Sequence, residues 1–307
     1  ERNDTKMKIG LPKALLYYYY APLWKAFFNE LNIDIIESND TTAKTLILGK
    51  EKSIDESCLA LKIYLGHIEE LKDKCDYILV PRIYSIIKSE QVCTNFNALY
   101  DLVRNTFPDI KILNYNIDLK HHHSEKNGFI KIGKELGFSI IESLNAYNKA
   151  KEIEKIYYKN EEKKAKEELR SNKTKILLLG HPYILNDNLI GKSITNYLKK
   201  NNISIIYSYQ IPKDLIEFNC SKISQKIHFT MNKEQVAAFN YFKDKVDGTI
   251  ILTAFPCGPD SLSNEMIIRK RKKHPTLLLT FEDLTNNTAV ITRLESFLDM
   301  LKGGIHL

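Results

Sequence analysis

The stretch Lys175-Ile-Leu-Leu-Leu-Gly-His-Pro-Tyr183, followed by Leu189–Lys200 and Ile203-Ser-Ile-Ile-Tyr207, decides the fold. Lys175–Leu179 is a short apolar run closed by Gly180, the pattern of a strand buried on both faces. Leu189–Lys200 has helical length, and Ile203–Tyr207 is a second strand. Strand, helix and strand in that order make a βαβ unit, which builds parallel sheets. Toward the C-terminus the alternation continues with a helix over Lys233–Lys245, a strand over Gly248–Thr253, a helix over Asp260–Lys272, a strand over Thr276–Thr280 and a helix over Ala289–Leu301.

The N-terminal half alternates in the same way. Strands are expected at Lys8–Leu11, Ile33–Ile36, Tyr77–Pro81 and Ile110–Leu113. Helices are expected at Tyr17–Leu31, Thr41–Lys52, Asp55–Lys72 with Asp55 or Ser53 as cap, Asn95–Asn105 and Ile130–Ala146. Lys149–Lys175 is dense in Lys and Glu with almost no apolar stripe, and reads as a solvated helix or linker. The expected organisation is therefore an N-terminal α/β domain over 1–146, a charged helical linker over 147–174 and a C-terminal α/β domain over 175–307. The fold class is α/β, with two Rossmann-like or flavodoxin-like parallel-sheet domains. In such sheets ligands sit at the carboxyl ends of the strands, and in a two-domain chain in the cleft between domains.

Composition sets the boundaries. A chain of 307 residues with 43% hydrophobic and 27% charged residues can bury a core without disulfide staples. No apolar run has the length of a membrane span. Glu1–Lys6 is polar and unlike a signal peptide. Met7 is read as the natural start. Five cysteines and no secretion signal indicate a reducing cytoplasm with free or metal-bound thiols. The net charge of +7 is spread along the chain, which favours an anionic ligand. No nucleic-acid-binding motif is present.

Three cysteines share a local setting. Cys58 lies at a helix start in Asp55-Glu-Ser-Cys58, Cys93 just before a helix in Val92-Cys-Thr-Asn95, and Cys257 between a strand and a helix in Phe255-Pro-Cys-Gly-Pro-Asp260. Backbone N–H groups at a helix start stabilise a thiolate, the metal-ligating form. Separations of 35 and 164 residues match no local ferredoxin or zinc-ribbon spacing. A shared site has to be assembled across the fold, and ordinary buried cysteine is the alternative. Cys75 reads as a core residue at a strand start, and Cys220 sits in a polar stretch without a signal. His121-His122-His123 reads as a solvated loop. Gly191-Lys192-Ser193 lacks the upstream glycine of a phosphate loop, that position being Asn186. His181 follows a strand and is either a ligand or acid/base group or a turn residue. Arg269–Lys273 places cations at a helix C-terminus, where they complement the dipole or meet the phosphates of a bulky ligand. The run Tyr17–Tyr20 reads first as core packing and second as part of a homodimer surface.

Taken together these segments resemble the 2-hydroxyacyl-CoA dehydratase superfamily of iron–sulfur proteins, in the branch found beside, or fused to, ATP-dependent dehydratase activators. The likeness is carried by Ile9-Gly-Leu-Pro-Lys-Ala-Leu15 with Tyr18–Leu31, Asp55–Lys62 through Gly66-His67, Phe255–Asp260 with Ser261, Glu282-Asp283 with Thr292–Asp299, and Gly180–Tyr183 with Asp187. The resemblance implies a [4Fe–4S] cluster held by Cys58, Cys93 and Cys257 between the two domains, with one iron open. It implies a partner protein that hydrolyses ATP and delivers low-potential electrons. The substrate would be a small molecule or an acyl-CoA that is reduced or dehydrated at the open iron. His181, Ser57 and Asp260 are cleft residues with no assigned chemistry. Two departures matter: there is one short chain where dehydratases use two subunits, and the nucleotide motifs of the activator are missing. Two further functions stay open beside the enzyme component, whether lyase or reductase. They are a non-catalytic iron–sulfur electron carrier, cluster carrier or redox sensor, and a double-cubane cluster reductase. A two-domain small-molecule-binding protein with structural cysteines is the reading without a cluster. Neither a nucleic acid nor a membrane is an expected partner.

Overall fold

The computed structural model describes residues 7–282 and 288–303. The chain divides into two units, one of residues 1–55 with 60–158 and the other of residues 56–59 with 159–307. Both are α/β with parallel sheets, as the alternating pattern predicts.

The first unit runs β1 (Lys8–Leu11), α1 (Tyr17–Glu30), β2 (Asp34–Glu37), α2 (Ala43–Glu51), α3 (Leu59–Leu71), β3 (Tyr77–Leu79), β4 (Arg82–Ser85), α4 (Thr94–Thr106), β5 (Ile112–Leu113), β6 (Asn116–Asp118), α5 (Glu125–Glu135) and α6 (Ile140–Leu169). Its main sheet has the order β2-β1-β3-β5, every pair parallel. The expected single strand ending at Pro81 is interrupted instead. Pro81 has no N–H to give to the ladder, and the pairing resumes beyond it as β4 with β6. The Val80 and Arg82 N–H groups keep the run continuous by donating to the Leu113 and Tyr115 carbonyls.

Aromatic rings fill the core of this unit. Phe129 meets Phe27, Tyr115 and Tyr147 at centroid distances of 4.8, 5.0 and 5.4 Å. Trp24 is buried and donates from Nε1 to the Tyr115 hydroxyl at 2.8 Å. Tyr17 and Tyr20 are buried while Tyr18 and Tyr19 are half-buried, so core packing absorbs half of the tyrosine run. Helices α2 and α3 cross at glycines. A Cβ on Gly66 would lie 1.9 Å from the Thr45 carbonyl oxygen, and one on Gly49 1.7 Å from that of Lys62.

The helix expected over Ile130–Ala146 is two helices. Gly137 adopts φ +90, the left-handed conformation that ends α5. Ser139 then caps α6: its Oγ accepts from the Glu142 N–H, and the Glu142 carboxylate accepts from the Ser139 N–H. The charged stretch continues α6 as far as Leu169. Beyond Tyr147 it buries Ala150, Glu154, Glu161 and Ala165, residues too small or too charged to register as an apolar stripe. Glu161 accepts from Gln210 Nε2 at 2.9 Å.

The second unit continues with β7 (Lys175–Leu179), α7 (Pro182–Leu185), α8 (Gly191–Lys200), β8 (Ser204–Tyr207), α9 (Ile216–Ser221), α10 (Thr230–Phe242), β9 (Gly248–Ala254), α11 (Gly258–Lys270), β10 (Thr276–Phe281) and α12 (Thr288–Lys302). The sheet order is β10-β9-β7-β8, again all parallel. Read from the other edge, it repeats the order of the first unit. In both, the first strand is central, the second lies outside it and the third returns to its other side. The seven residues of β9 are all buried. Around them pack Leu177, Leu179, Ile206, Val236, Phe239 and Ile267.

Candidate functional site

Strand order locates the sites. In each unit the chain leaves the first strand toward one edge and the third toward the other, so the loops after these two strands diverge. A crevice opens at such a switch point, outside the carboxyl ends of the strands. In the second unit it lies between β7 and β9, and the loops beside it are Gly180–His181 and Phe255–Cys257.

A buried polar network occupies that point. His181 follows β7, and its Nε2 lies 2.8 Å from Asp260 Oδ1. Asp260 stands in the first turn of α11. It also accepts from Asn232 Nδ2 and from the Thr253 hydroxyl, each at 2.7 Å. Asn232 makes a second bond, to Ser263 Oγ at 3.1 Å. All five side chains are buried, His181 and Asp260 to within 3% and 2% exposure. Burial by itself would raise the Asp260 pKa. The charge and hydrogen bond of His181, with the hydrogen bonds of Thr253 and Asn232, outweigh it and hold the carboxyl below its ordinary value. An ionised Asp260 accepts from Nε2, which fixes the ring orientation. The ring also stacks on Tyr183 at 4.9 Å. Of the network, His181 and Asp260 were legible in the sequence. Asn232, Thr253 and Ser263 were not, because they come from a helix, a strand end and the next helical turn.

The three singled-out cysteines all stand immediately before a helix. Cys58 precedes α3, Cys93 precedes α4 and Cys257 precedes α11. Cys93 and Cys257 occupy the N-cap positions. These two are topological equivalents, each on the connection from the third strand of its sheet to the following helix, counting β3 and β4 as one run. Cys58 belongs to the short segment 56–59 that groups with the second unit. The Leu59 N–H donates to the Phe255 carbonyl at 3.0 Å, so the Cys58 and Cys257 segments are joined by main-chain hydrogen bonding. All three cysteines are half-buried and none is in a disulfide. Ser57 is half-buried beside Cys58.

Thiols at helix N-termini are apt donors for an iron–sulfur cluster. Among the described residues, however, no group of three or more His, Cys, Asp or Glu side chains is gathered so as to hold a metal ion. The donor chemistry fits a cluster, and a gathered three-ligand geometry is not shown.

The remaining motifs resolve plainly. The Cys75 thiol donates to the Leu71 carbonyl, and burial pushes its pKa up to about 11. Cys220 is buried within the core of the second unit. His121 is exposed and pairs with Asp118 at 2.6 Å. A Cβ on Gly191 would strike the Leu185 carbonyl at 2.0 Å, so this glycine serves close chain packing. Asp283 lies outside the described residues.

In the first unit the corresponding strand ends carry Lys13, Ser38, Asp40 and Thr41. Lys13 pairs with Asp40, and its N–H donates to Ser38 Oγ at 2.8 Å. The fully buried His67 of α3 shares a 3.0 Å hydrogen bond between Nε2 and Thr41 Oγ1. Its Nδ1 has no hydrogen-bond partner among the described residues.

No helix among the described residues is long and apolar enough to cross a membrane. A search of curated protein sequences finds no match. Among solved structures, one described as "Crystal structure of ZnuA" aligns over 97% of this chain and 98% of that one. It is 8% identical, with a TM-score of 0.27, too low to carry an argument. The model of the family described as "CoA enzyme activase uncharacterised domain (DUF2229)" matches residues 8–211, well over half of the chain. The chain belongs to this family of CoA enzyme activase domains.

Proposed function

We propose that this protein is an oxygen-sensitive iron–sulfur protein of the cytoplasm, working with the ATP-dependent activation of 2-hydroxyacyl-CoA dehydratase-type enzymes. Its ligands are Cys58, Cys93 and Cys257, and its cofactor is a [4Fe–4S] cluster. Its partner is an ATP-hydrolysing activator that supplies low-potential electrons, and its substrate is a small molecule or an acyl-CoA. When bound, such a cluster supplies one-electron chemistry and, with three thiolates for four irons, one open coordination position.

The observation that carries the reading is the equivalence of Cys93 and Cys257 in two sheets of the same order, each ahead of a helix N-terminus. Unpaired main-chain N–H groups there favour the thiolate over the thiol. The hydrogen bond from Leu59 to Phe255 adds Cys58 to the Cys257 segment. Membership of the activase family supports a role in acyl-CoA dehydratase activation. The residues beside the cysteines have work of their own. Asp260 orients His181, and the pair holds a proton at Nε2 in a buried setting.

The test is iron and sulfide content after anaerobic purification, with visible and EPR spectra before and after reduction. About four irons per chain with bleaching on reduction is the expected result. Cys58→Ser, Cys93→Ser and Cys257→Ser should each lower the content or change the spectrum. No iron after anaerobic reconstitution, or an unchanged spectrum in Cys257→Ser, overturns the assignment.

A further inference from the structure

At the opposite end of the second sheet, where β10 begins, a cavity of about 360 Å³ opens between the end of α11, the start of β10 and α12. It is lined by the turn Arg271-Lys272-Lys273-His274 and by Arg293 of α12. Pro275, Leu277, Phe297 and Met300 add apolar lining, with Thr292 and Ser296 beside them in the lining. Among the described residues no carboxylate lines it.

The two arginines are anchored. Arg271 Nη1 donates to the Thr276 carbonyl at 3.2 Å, and Arg293 Nη2 to the Leu278 carbonyl at 2.8 Å. The carbonyls of Pro275 and Phe281 face β9, where they accept from the Thr249 and Phe255 N–H groups. In a strand alternate carbonyls face opposite sides, so those of Thr276 and Leu278 point to the open edge of β10. The arginines thus cap an unpaired edge. A guanidinium has five N–H donors, and each keeps most of them for another acceptor.

The lysines are placed differently. Lys272 and Lys273 are exposed, and neither makes a hydrogen bond or ion pair among the described residues. Lys272 has φ +56, at the C-terminal turn of α11 where glycine is the unstrained choice. A lysine held there is strained, and such strain collects at ligand clamps. His274 shares a 2.9 Å hydrogen bond with Thr249, and burial lowers its pKa, so it lines the wall as a neutral ring.

We propose that this cavity binds a phosphorylated small molecule with an apolar ring or chain. The phosphate meets Arg271, Lys272, Lys273 and Arg293, and the body lies on Leu277, Phe297 and Met300. Guanidinium forks and ammonium point charges together suit phosphate oxygens. The volume falls at the small end of ligand sites, which fits one nucleotide-sized molecule better than a polymer. The site is separate from the His181 network, so it stands or falls independently of the cluster.

Calorimetric titration of the full chain with ADP tests it, with adenosine, inorganic pyrophosphate and a dT oligonucleotide in parallel. ADP should bind more tightly than adenosine or pyrophosphate, and its affinity should fall as salt rises. Lys273→Glu should weaken ADP by about tenfold or more while the melting temperature is kept. Lys272→Gly should raise the melting temperature and weaken ADP together, a combination that a purely structural lysine would not give. The proposal is overturned if ADP does not bind at millimolar concentration, or if both variants bind it as the parent does. Pyrophosphate binding as tightly as ADP removes the apolar part of the site, and tighter binding of the oligonucleotide replaces the small molecule with a nucleic acid.

Discussion

Acidification should destabilise the first unit through a single buried imidazole. His67 is fully buried in α3, with Nε2 bonded to Thr41 and Nδ1 lying 3.8 Å from Glu70 Oε2, beyond hydrogen-bond reach. Burial is the largest influence and lowers its pKa from 6.5 to about 4, Lys13 acting in the same direction and Asp40 against it. In the unfolded chain the ring titrates near its ordinary value. Between pH 6.5 and about 4 the unfolded chain therefore binds the proton that the folded chain refuses, and stability falls as pH falls. Above 6.5 the full stability is present, and below 4 the loss is complete. At about 1.4 kcal/mol per pH unit of separation, the loss comes to about 3 kcal/mol. Trp24 is the only tryptophan of the chain and lies buried in the same unit, so its fluorescence reports this unfolding. Urea unfolding followed at that ring, for the parent and His67→Gln at a series of pH values, isolates the term, because the other titrating groups cancel in the difference. The parent's advantage over the variant should shrink by about 3 kcal/mol from pH 7 to pH 4. Parallel stability curves across that range would refute the reasoning.

Two further outcomes follow from packing and pairing. Asp260→Ala leaves His181, Asn232 and Thr253 buried without their acceptor. It should cost the second unit about 3–5 kcal/mol in denaturation followed by circular dichroism, and a loss below about 1 kcal/mol contradicts this. Because the Asp260 pKa is held down, the stability it supplies should persist at neutral pH and be lost only as pH falls below about 3.8, a dependence that Asp260→Asn should remove. Gly66→Ala sets a Cβ 1.9 Å from the Thr45 carbonyl oxygen, where only main-chain movement can make room. It should lower stability at the Trp24 probe by about 1–3 kcal/mol or more, and an unchanged urea midpoint counts against the α2–α3 crossing as described.

The alternation of short apolar runs with longer helical stretches was enough to read parallel α/β sheets, because strands buried on both faces must be apolar throughout. Boundaries were less legible where a single residue overrode periodicity. Gly137 splits a helix that the pattern runs together, and the Ser139–Glu142 capping pair was the available signal. Helix α3 starts at Leu59 rather than near Asp55, and the Leu59 N–H donates to the Phe255 carbonyl instead of to the carbonyl four residues before it. The buried face of α6 escaped notice because alanine and paired glutamates cover it. The helix starts beside Cys93 and Cys257 were legible, since a periodic run follows each closely. What surrounds His181 was not, because Thr253, Asn232 and Asp260 converge only once β9, α10 and α11 are folded.

The His181–Asp260 network sits where stability alone would not put it. Removing a carboxylate and an imidazole from water is costly, and even a well-bonded buried pair is often no better than apolar residues of the same volume. The fold around it has no shortage of such residues: β9 is buried along its whole length, and Ile267 of α11 lies in the apolar core. The network is nevertheless complete, with three donors on one carboxylate, and it lies at the carboxyl ends of β7 and β9, where an open parallel sheet has its ligand crevice. Completeness holds His181 in one orientation with Nε2 toward Asp260, which matters to a group that handles a proton and not to one that fills space. The distinction governs how Asp260→Ala is to be read. Its loss measures three donors left unpaired, not the net contribution of the network. A large loss there is thus compatible with a network that gives the fold little net stability and whose use lies in holding His181 at the crevice.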